Sequence, residues 1–230
     1  MNGFYSVAID GPGGAGKSSL AKRLAAAFGF IYVDTGAIYR TVGLAASRKG
    51  IDPKVESAVQ AILPELEISM KYNENGEQCM LLNGEDVSKA IRMPEVSLLA
   101  SSVSAHPSVR SFLLDMQRKF ARENNVIMDG RDIGTVVLPD AELKIYLTAD
   151  VKVRAQRRFM ELQQKGVEAK FEDVLAEMEQ RDWQDMNREI APLKRADDAV
   201  LVDTSEIDFE ESFRVLCELL IRELAIEQEA

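Results

Sequence analysis

The chain has 230 residues, with 46% hydrophobic and 29% charged side chains, the balance of a globular protein with room for one sizeable core rather than a disordered chain. A formal net charge of −10 argues against a general electrostatic grip on nucleic acid, and two cysteines with one histidine leave no disulfide network or Cys/His zinc framework. No apolar run approaches the roughly 18 residues of a membrane span. With no basic start or cleavable signal pattern, the expectation is a cytoplasmic protein without nucleic-acid or membrane partners.

"FYSVAID" reads as a buried strand, and "AGKSSLAKRLAAAFG" as a helix stopped by Gly29. "FIYVD" predicts a second strand, and "TGAIYRTVGLAASRKG" a helix directly after it. Further on, "NVIMD" (125–129), "LKIYL" (143–147) and "AVLVD" (199–203) are short β-rich runs separated by helical sequence. Near-continuous apolar strands alternating with helices predict an α/β fold, a parallel sheet flanked by helices. "FEESFRVLCELLIRELA" is amphipathic and closes the domain. Residues 66–92 break the rhythm with two strands around Asn75-Gly76, then Asn83-Gly84 and a short third run. That pattern predicts a small antiparallel β insert, with a merely ornamental surface hairpin as the alternative. Both cysteines lie among apolar residues and read as buried thiols, and His106 before Pro107 reads as a loop residue.

Gly11-Pro12-Gly13-Gly14-Ala15-Gly16-Lys17-Ser18, followed by Ser19, fits G-x-x-x-x-G-K-[ST] between a predicted strand and a predicted helix. Glycines let successive backbone N–H groups turn inward around a phosphate, and the helix adds its N-terminal dipole. Lys17 can bridge β- and γ-phosphates, and the Ser18 hydroxyl is a Mg²⁺ ligand in this pattern. Neither an N-K-x-D guanine-reading motif nor an LSGGQ-type signature is present. The motif alone therefore leaves the destination of the terminal phosphate open.

Three further clusters look like a second anion site. "DTGAIYR" starts at the carboxyl end of the second strand, so Asp34 and Thr35 can cap a helix and Arg40 can face a phosphate. A plain cap with a solvated arginine is the rival. "MDGRDIGT" ends another apolar strand. There Asp129 sits like the acid that orients Mg²⁺ through water, Arg131 can neutralise the transferring group, and Asp132 can accept from a ligand; a tight turn with a fortuitous ion pair is the rival. In "RAQRRF" the like charges Arg154, Arg157 and Arg158 repel, with Glu161 as partial offset and a solvated face as the rival reading. Arg181, Asp185 and Arg188 fall at i, i+4 and i+7, one predicted helical stripe.

"IDGPGGAGKSS", "DTGAIYR", "DGRDIGTVV" and "RDWQDMNR" followed by "APL", in this order from Ile9 to about Asp203, resemble the bacterial cytidylate kinases. The resemblance implies a phosphate-loop nucleoside monophosphate kinase fold as a single domain over 1–230, the insert at 66–92 and a lid near 152–170. It implies phosphoryl transfer from ATP, with Mg²⁺, to CMP or dCMP by a monomer. Lys17, Asp129 and Arg131 would be catalytic, with Ser18 and Asp129 toward the metal. Residues Gly11 to Ser19 with Arg154, Arg157 and Arg158 would bind ATP. Arg40, Arg131 and Arg188 would hold phosphates beside Thr35. Ser101, Arg110 and Asp132 would read cytosine, while Arg181 and Asp185 would contact the sugar. Position 35 is Thr where many relatives carry Ser; the hydroxyl survives.

Overall fold

The computed structural model describes residues 3–74 and 76–228. In chain order the first elements are β1 (Ser6–Asp10), α1 (Lys17–Ala27), β2 (Ile31–Asp34), α2 (Thr35–Arg48), α3 (Glu56–Ile62), β3 (Ile68–Tyr72), β4 (Gln78–Leu82) and β5 (Glu85–Asp86). They are followed by α4 (Pro94–Ser104), α5 (Pro107–Glu123), β6 (Val126–Gly130), β7 (Leu143–Thr148), α6 (Val151–Gln164), α7 (Phe171–Asn187), β8 (Val200–Asp203) and α8 (Phe209–Leu224). Two compact units share the chain, one of residues 1–32 and 121–230, the other Val33–Phe120. Among the described residues no helix is long and apolar enough to cross a membrane.

The first unit is built on a five-stranded sheet in the order β2-β6-β1-β7-β8. β1 pairs in parallel with β6 and β7, and β7 in parallel with β8, so all these carboxyl ends lie at one edge. Val7, Ile9, Ile127, Ile145 and Leu147 of the sheet pack with Leu20 and Leu24 of α1 and Leu216 and Leu220 of α8, all essentially water-free. Burial on both faces explains why these strands read as apolar runs rather than alternating ones. β1 is shorter than the sequence suggested: Phe4 and Tyr5 stand outside it, partly exposed. Gly29, at φ 65°, stops α1 as expected.

The connection from β1 to α1 passes very close to β7. A Cβ on Gly11, whose φ is +148°, would stand 1.9 Å from the Leu147 carbonyl oxygen, so only glycine fits. Gly16, in the left-handed region, precedes α1 without any side-chain cap. The first-turn N–H groups, which have no intrahelical acceptor, therefore receive none from a side chain at the N-cap.

In the second unit β3 and β4 form the predicted hairpin, with Ile68 opposite Leu82 and Tyr72 opposite Gln78, and β5 adds a third strand. Gly76 donates its N–H to the Asn73 oxygen at 2.9 Å within the turn; Asn75 lies outside the described residues. Asn83 and Gly84 have φ of 50° and 83°, the positive pair that lets two strands twist together. α2 and α4 approach so closely that a Cβ on Gly43 would meet Leu99 Cβ at 3.0 Å and the Ala100 nitrogen at 3.1 Å. Cys217 is buried as expected, but Cys79 is only half-buried, because it lies on a three-stranded sheet covered on one face at most. His106, between α4 and α5, is buried, with Nε2 2.8 Å from the Pro53 carbonyl oxygen.

Candidate active site

The carboxyl ends of β1 and β6 bring the phosphate loop and the "MDGRDIGT" segment together. Ser18 donates its hydroxyl to Asp129 Oδ2 at 2.7 Å, and the Tyr32 hydroxyl donates to Oδ1 at 2.8 Å. Lys17, 5% exposed, donates from Nζ to the Pro12 carbonyl at 2.7 Å. Burial, reinforced by the Arg131 charge, pushes the Lys17 ammonium down to about 7, against the pull of Asp129 and Asp10. A phosphate reaching this point would restore the full positive charge.

Arg131 donates from Nε to Asp185 Oδ2 at 2.8 Å and from Nη1 to the Gly130 carbonyl at 3.2 Å. Its Nη2 is 3.7 Å from where a Cβ on Gly13 would stand, so the guanidinium lies beside the loop. Burial disfavours its charge, but Asp185 and Asp129 outweigh that and hold its pKa above the usual arginine value. Asp185 is likewise held below the ordinary carboxylate range: burial opposes, and Arg131, Arg181 and Arg188 prevail. Arg188 Nη2 lies 3.5 Å from Asp132 Oδ1. The predicted Arg181, Asp185, Arg188 stripe holds for its first two members only. α7 ends at Asn187 and Arg188 is extended, because the Leu193 N–H folds back onto the Asp185 carbonyl at 2.7 Å.

Asp10 is a residue that shapes the site and that sequence reasoning did not single out. Its two carboxylate oxygens accept the backbone N–H groups of Ile133 and Gly134, each at 2.8 Å, fixing the turn that carries Arg131 and Asp132. Burial raises its carboxyl to about 6. The signal was present: an acid closing a buried strand immediately before a glycine loop.

The three arginines of α6 do not converge. Arg154 is buried, donating to the carbonyls of Ala149 and Gly13 at 2.8 and 2.9 Å and to Asp182 Oδ2 at 2.6 Å. Arg157 binds Thr204 through its carbonyl and hydroxyl, and Arg158 pairs with Glu161 at the surface.

In the second unit, Asp34 caps α2 by accepting the Ala37 N–H at 2.9 Å and pairs with Arg40 Nη2 at 2.8 Å; Arg92 is 3.7 Å away. Thr35, expected to share the cap, is instead the first helical residue and is buried. Arg40 Nε is buried with no hydrogen-bond partner, as is Arg181 Nε of α7 in the first unit. Gln78 of β4 clasps Asp34 reciprocally, accepting its N–H at 2.7 Å and donating to its carbonyl at 3.2 Å. The predicted insert thus braces the Asp34–Arg40 junction, a role no local pattern disclosed. Arg110 donates to the Ser104 carbonyl at 3.1 Å and lies 5.5 Å from the Tyr39 ring centroid, and Ser101 is half-buried on α4.

Among the described residues no cluster of three or more acidic, histidine or cysteine side chains could hold a metal alone. The Ser18–Asp129 pair still fits Mg²⁺, which keeps several waters and takes one or two protein oxygens with substrate phosphates.

A buried sheet with a phosphate loop leaving β1, a hydroxyl and an acid paired at its floor, and arginines held alongside defines a phosphate-loop phosphotransferase. A family model described as cytidylate kinase matches residues 7–223, and the chain belongs to the cytidylate kinase family. The chain is 48% identical over 217 residues to a cytidylate kinase of Caldicellulosiruptor bescii, covering 94% of this chain and 96% of that one. A Geobacter sulfurreducens cytidylate kinase is 51% identical over 205 residues, 89% and 88% of the two chains. A solved shikimate kinase of Bacteroides thetaiotaomicron superposes with a TM-score of 0.46 at 15% identity, over 94% of this chain and 98% of that one.

Proposed function

We propose that this cytidylate kinase transfers the γ-phosphate of ATP to the phosphate of CMP or dCMP, giving ADP and CDP or dCDP. The observation that carries the reading is the grouping of Lys17, Ser18, Asp129 and Arg131 at the ends of β1 and β6, in a chain of this family. The acceptor phosphate has a second pKa near 6 and is largely dianionic at neutral pH. Its oxygen attacks the γ-phosphorus in line, one P–O bond forming as the β–γ bridge breaks, so no general base is needed. What the reaction needs is alignment and compensation of charge. Residues 11–19 hold the donor phosphates, Lys17 the transferring group, and Ser18 and Asp129 the Mg²⁺ that neutralises phosphate charge when bound. Arg131, kept charged by Asp185, serves the same group. Arg40, Arg188 and Thr35 take the acceptor phosphate; Ser101, Arg110 and Asp132 the base; Arg181 and Asp185 the sugar.

A panel of CMP, dCMP, UMP, AMP and shikimate in an ADP-coupled assay tests this. The expected order puts CMP or dCMP first in kcat/KM. If UMP, AMP or shikimate leads, the acceptor is wrong. ATP binding without acceptor-dependent ADP release would favour a nucleotide-gated switch instead.

A further inference from the structure

We infer that Arg154 is a positioning residue, a three-way tie that sets the phosphate loop from behind and links it to α7 through Asp182. This deepens the reading above, and rests on its donor half only.

Three N–H groups of one guanidinium reach three separate pieces of backbone or side chain. Nε donates to the Ala149 carbonyl after β7, Nη1 to the Gly13 carbonyl in the loop, and Nη2 to Asp182 Oδ2 on α7. The Gly13 bond joins residues 141 apart in sequence, and the Arg154 side chain is 5% exposed. A planar fork with fixed donors suits this task; a lysine, with one nitrogen, reaches one of the three. The packing agrees. A Cβ on Gly14 would stand 2.7 Å from Met178 Cε and 3.4 Å from Arg154 Cβ, so α6 and α7 both press on the loop at that residue.

The consequence follows from the trans peptide. Fixing the Gly13 carbonyl toward Arg154 turns the Gly14 N–H the opposite way, since the two lie antiparallel across one plane. Lys17 does the same one residue earlier by holding the Pro12 carbonyl, which turns the Gly13 N–H. Two successive peptide planes are thereby set before any nucleotide arrives. A loop prepared in this way loses less freedom on binding phosphate. Because Asp182 holds the same guanidinium, a displacement of α7 acts directly on the loop.

The expectation carried by the family resemblance, Arg154 as a direct ATP ligand, makes the opposite prediction at Asp182. Asp182→Asn weakens the tie by removing a charged anchor; were Arg154 a phosphate ligand, the same change would release it toward the nucleotide. Calorimetric titration of the full chain with Mg²⁺ and a non-hydrolysable ATP analogue, without acceptor, separates the two. Asp182→Asn is expected to weaken binding about threefold to tenfold, and Arg154→Lys about tenfold. The double variant should be no weaker than Arg154→Lys alone, and CMP affinity should stay within twofold throughout. Unchanged or tighter binding by Asp182→Asn overturns the proposal, as do additive losses or an equal loss of CMP affinity. Should Arg154→Lys fail to fold, the isosteric Asp182→Asn decides alone. The acceptor panel can fail while these titrations succeed, and the reverse, so the two readings stand or fall separately.

Discussion

Lys17, Arg131 and Arg154 of the first unit are held differently from Arg40 of the second. In the first unit Lys17 caps the Pro12 carbonyl, Arg131 is locked to Asp185, and Arg154 has three partners. In the second, Arg40 leans on Asp34 by one guanidinium nitrogen, while its buried Nε has no hydrogen-bond partner. Protein groups hold the first set in place before a ligand binds, and the fold bears the cost of burying charge. Arg40 leaves its buried Nε donor unused by protein groups. The difference teaches that charge at the loop is fixed in advance, whereas Arg40 keeps one buried donor unpaired, which an acceptor phosphate would complete under the role proposed for it.

The strongest test of that contrast is Lys17→Met. Turnover should fall by about three orders of magnitude as charge on the transferring group is lost, while the melting temperature rises. Burial already pushes the ammonium down to about 7, so the native lysine is held against its preference. A variant that loses both activity and stability would break the comparison. Next, Arg40→Ala should cut kcat/KM for CMP about a hundredfold with ATP affinity within twofold, because only acceptor handling is removed. Equal damage to both substrates would erase the distinction between the units. Gln78→Ala should raise KM for CMP about fivefold to tenfold, the worth of two modest hydrogen bonds at the Asp34 peptide. No change would return the insert to ornament.

The remaining effect is one of pH. Burial raises Asp10 from 3.8 to about 6, so between those values the folded chain binds more protons than the unfolded one. The associated stability is present below about pH 4 and is lost as pH climbs through about 6. Asp10→Asn lacks this titration. Chemical denaturation at pH 4 and pH 8 should therefore show the stability difference moving in the variant's favour by about 1–3 kcal/mol. Its constant offset, from one backbone N–H losing its acceptor, does not enter that slope. A flat difference would mean Asp10 is ionised throughout.

Much of this architecture was legible because it is local. Apolar strands ending in Asp10, Asp34 and Asp203, and the one that carries Asp129 just before its end at Gly130, follow from period and length, as does the turn at Asn83-Gly84. The loop motif carried its own chemistry, and Ser18 does meet Asp129, 111 residues on. Reading failed where a long-range partner decides the outcome. Arg188 leaves the helix because Leu193 folds back onto Asp185, and helical spacing contains no trace of that. The resemblance grouped Arg154 with Arg157 and Arg158 at ATP, and its bond to the Gly13 carbonyl, 141 residues away, could not be read from spacing. Gln78 looked like any strand residue until it met the N–H and carbonyl of Asp34, 44 residues away.

Gly43 gives the second unit something like a calliper. The helix bearing Arg40 and the helix bearing Ser101 touch there backbone to backbone, so one missing methyl fixes the gap between the jaws. Under the roles proposed for those residues, one jaw meets the phosphate of a nucleotide and the other its base. A side chain at 43 would open the setting without touching either contact, and the length of acceptor accepted would change with it.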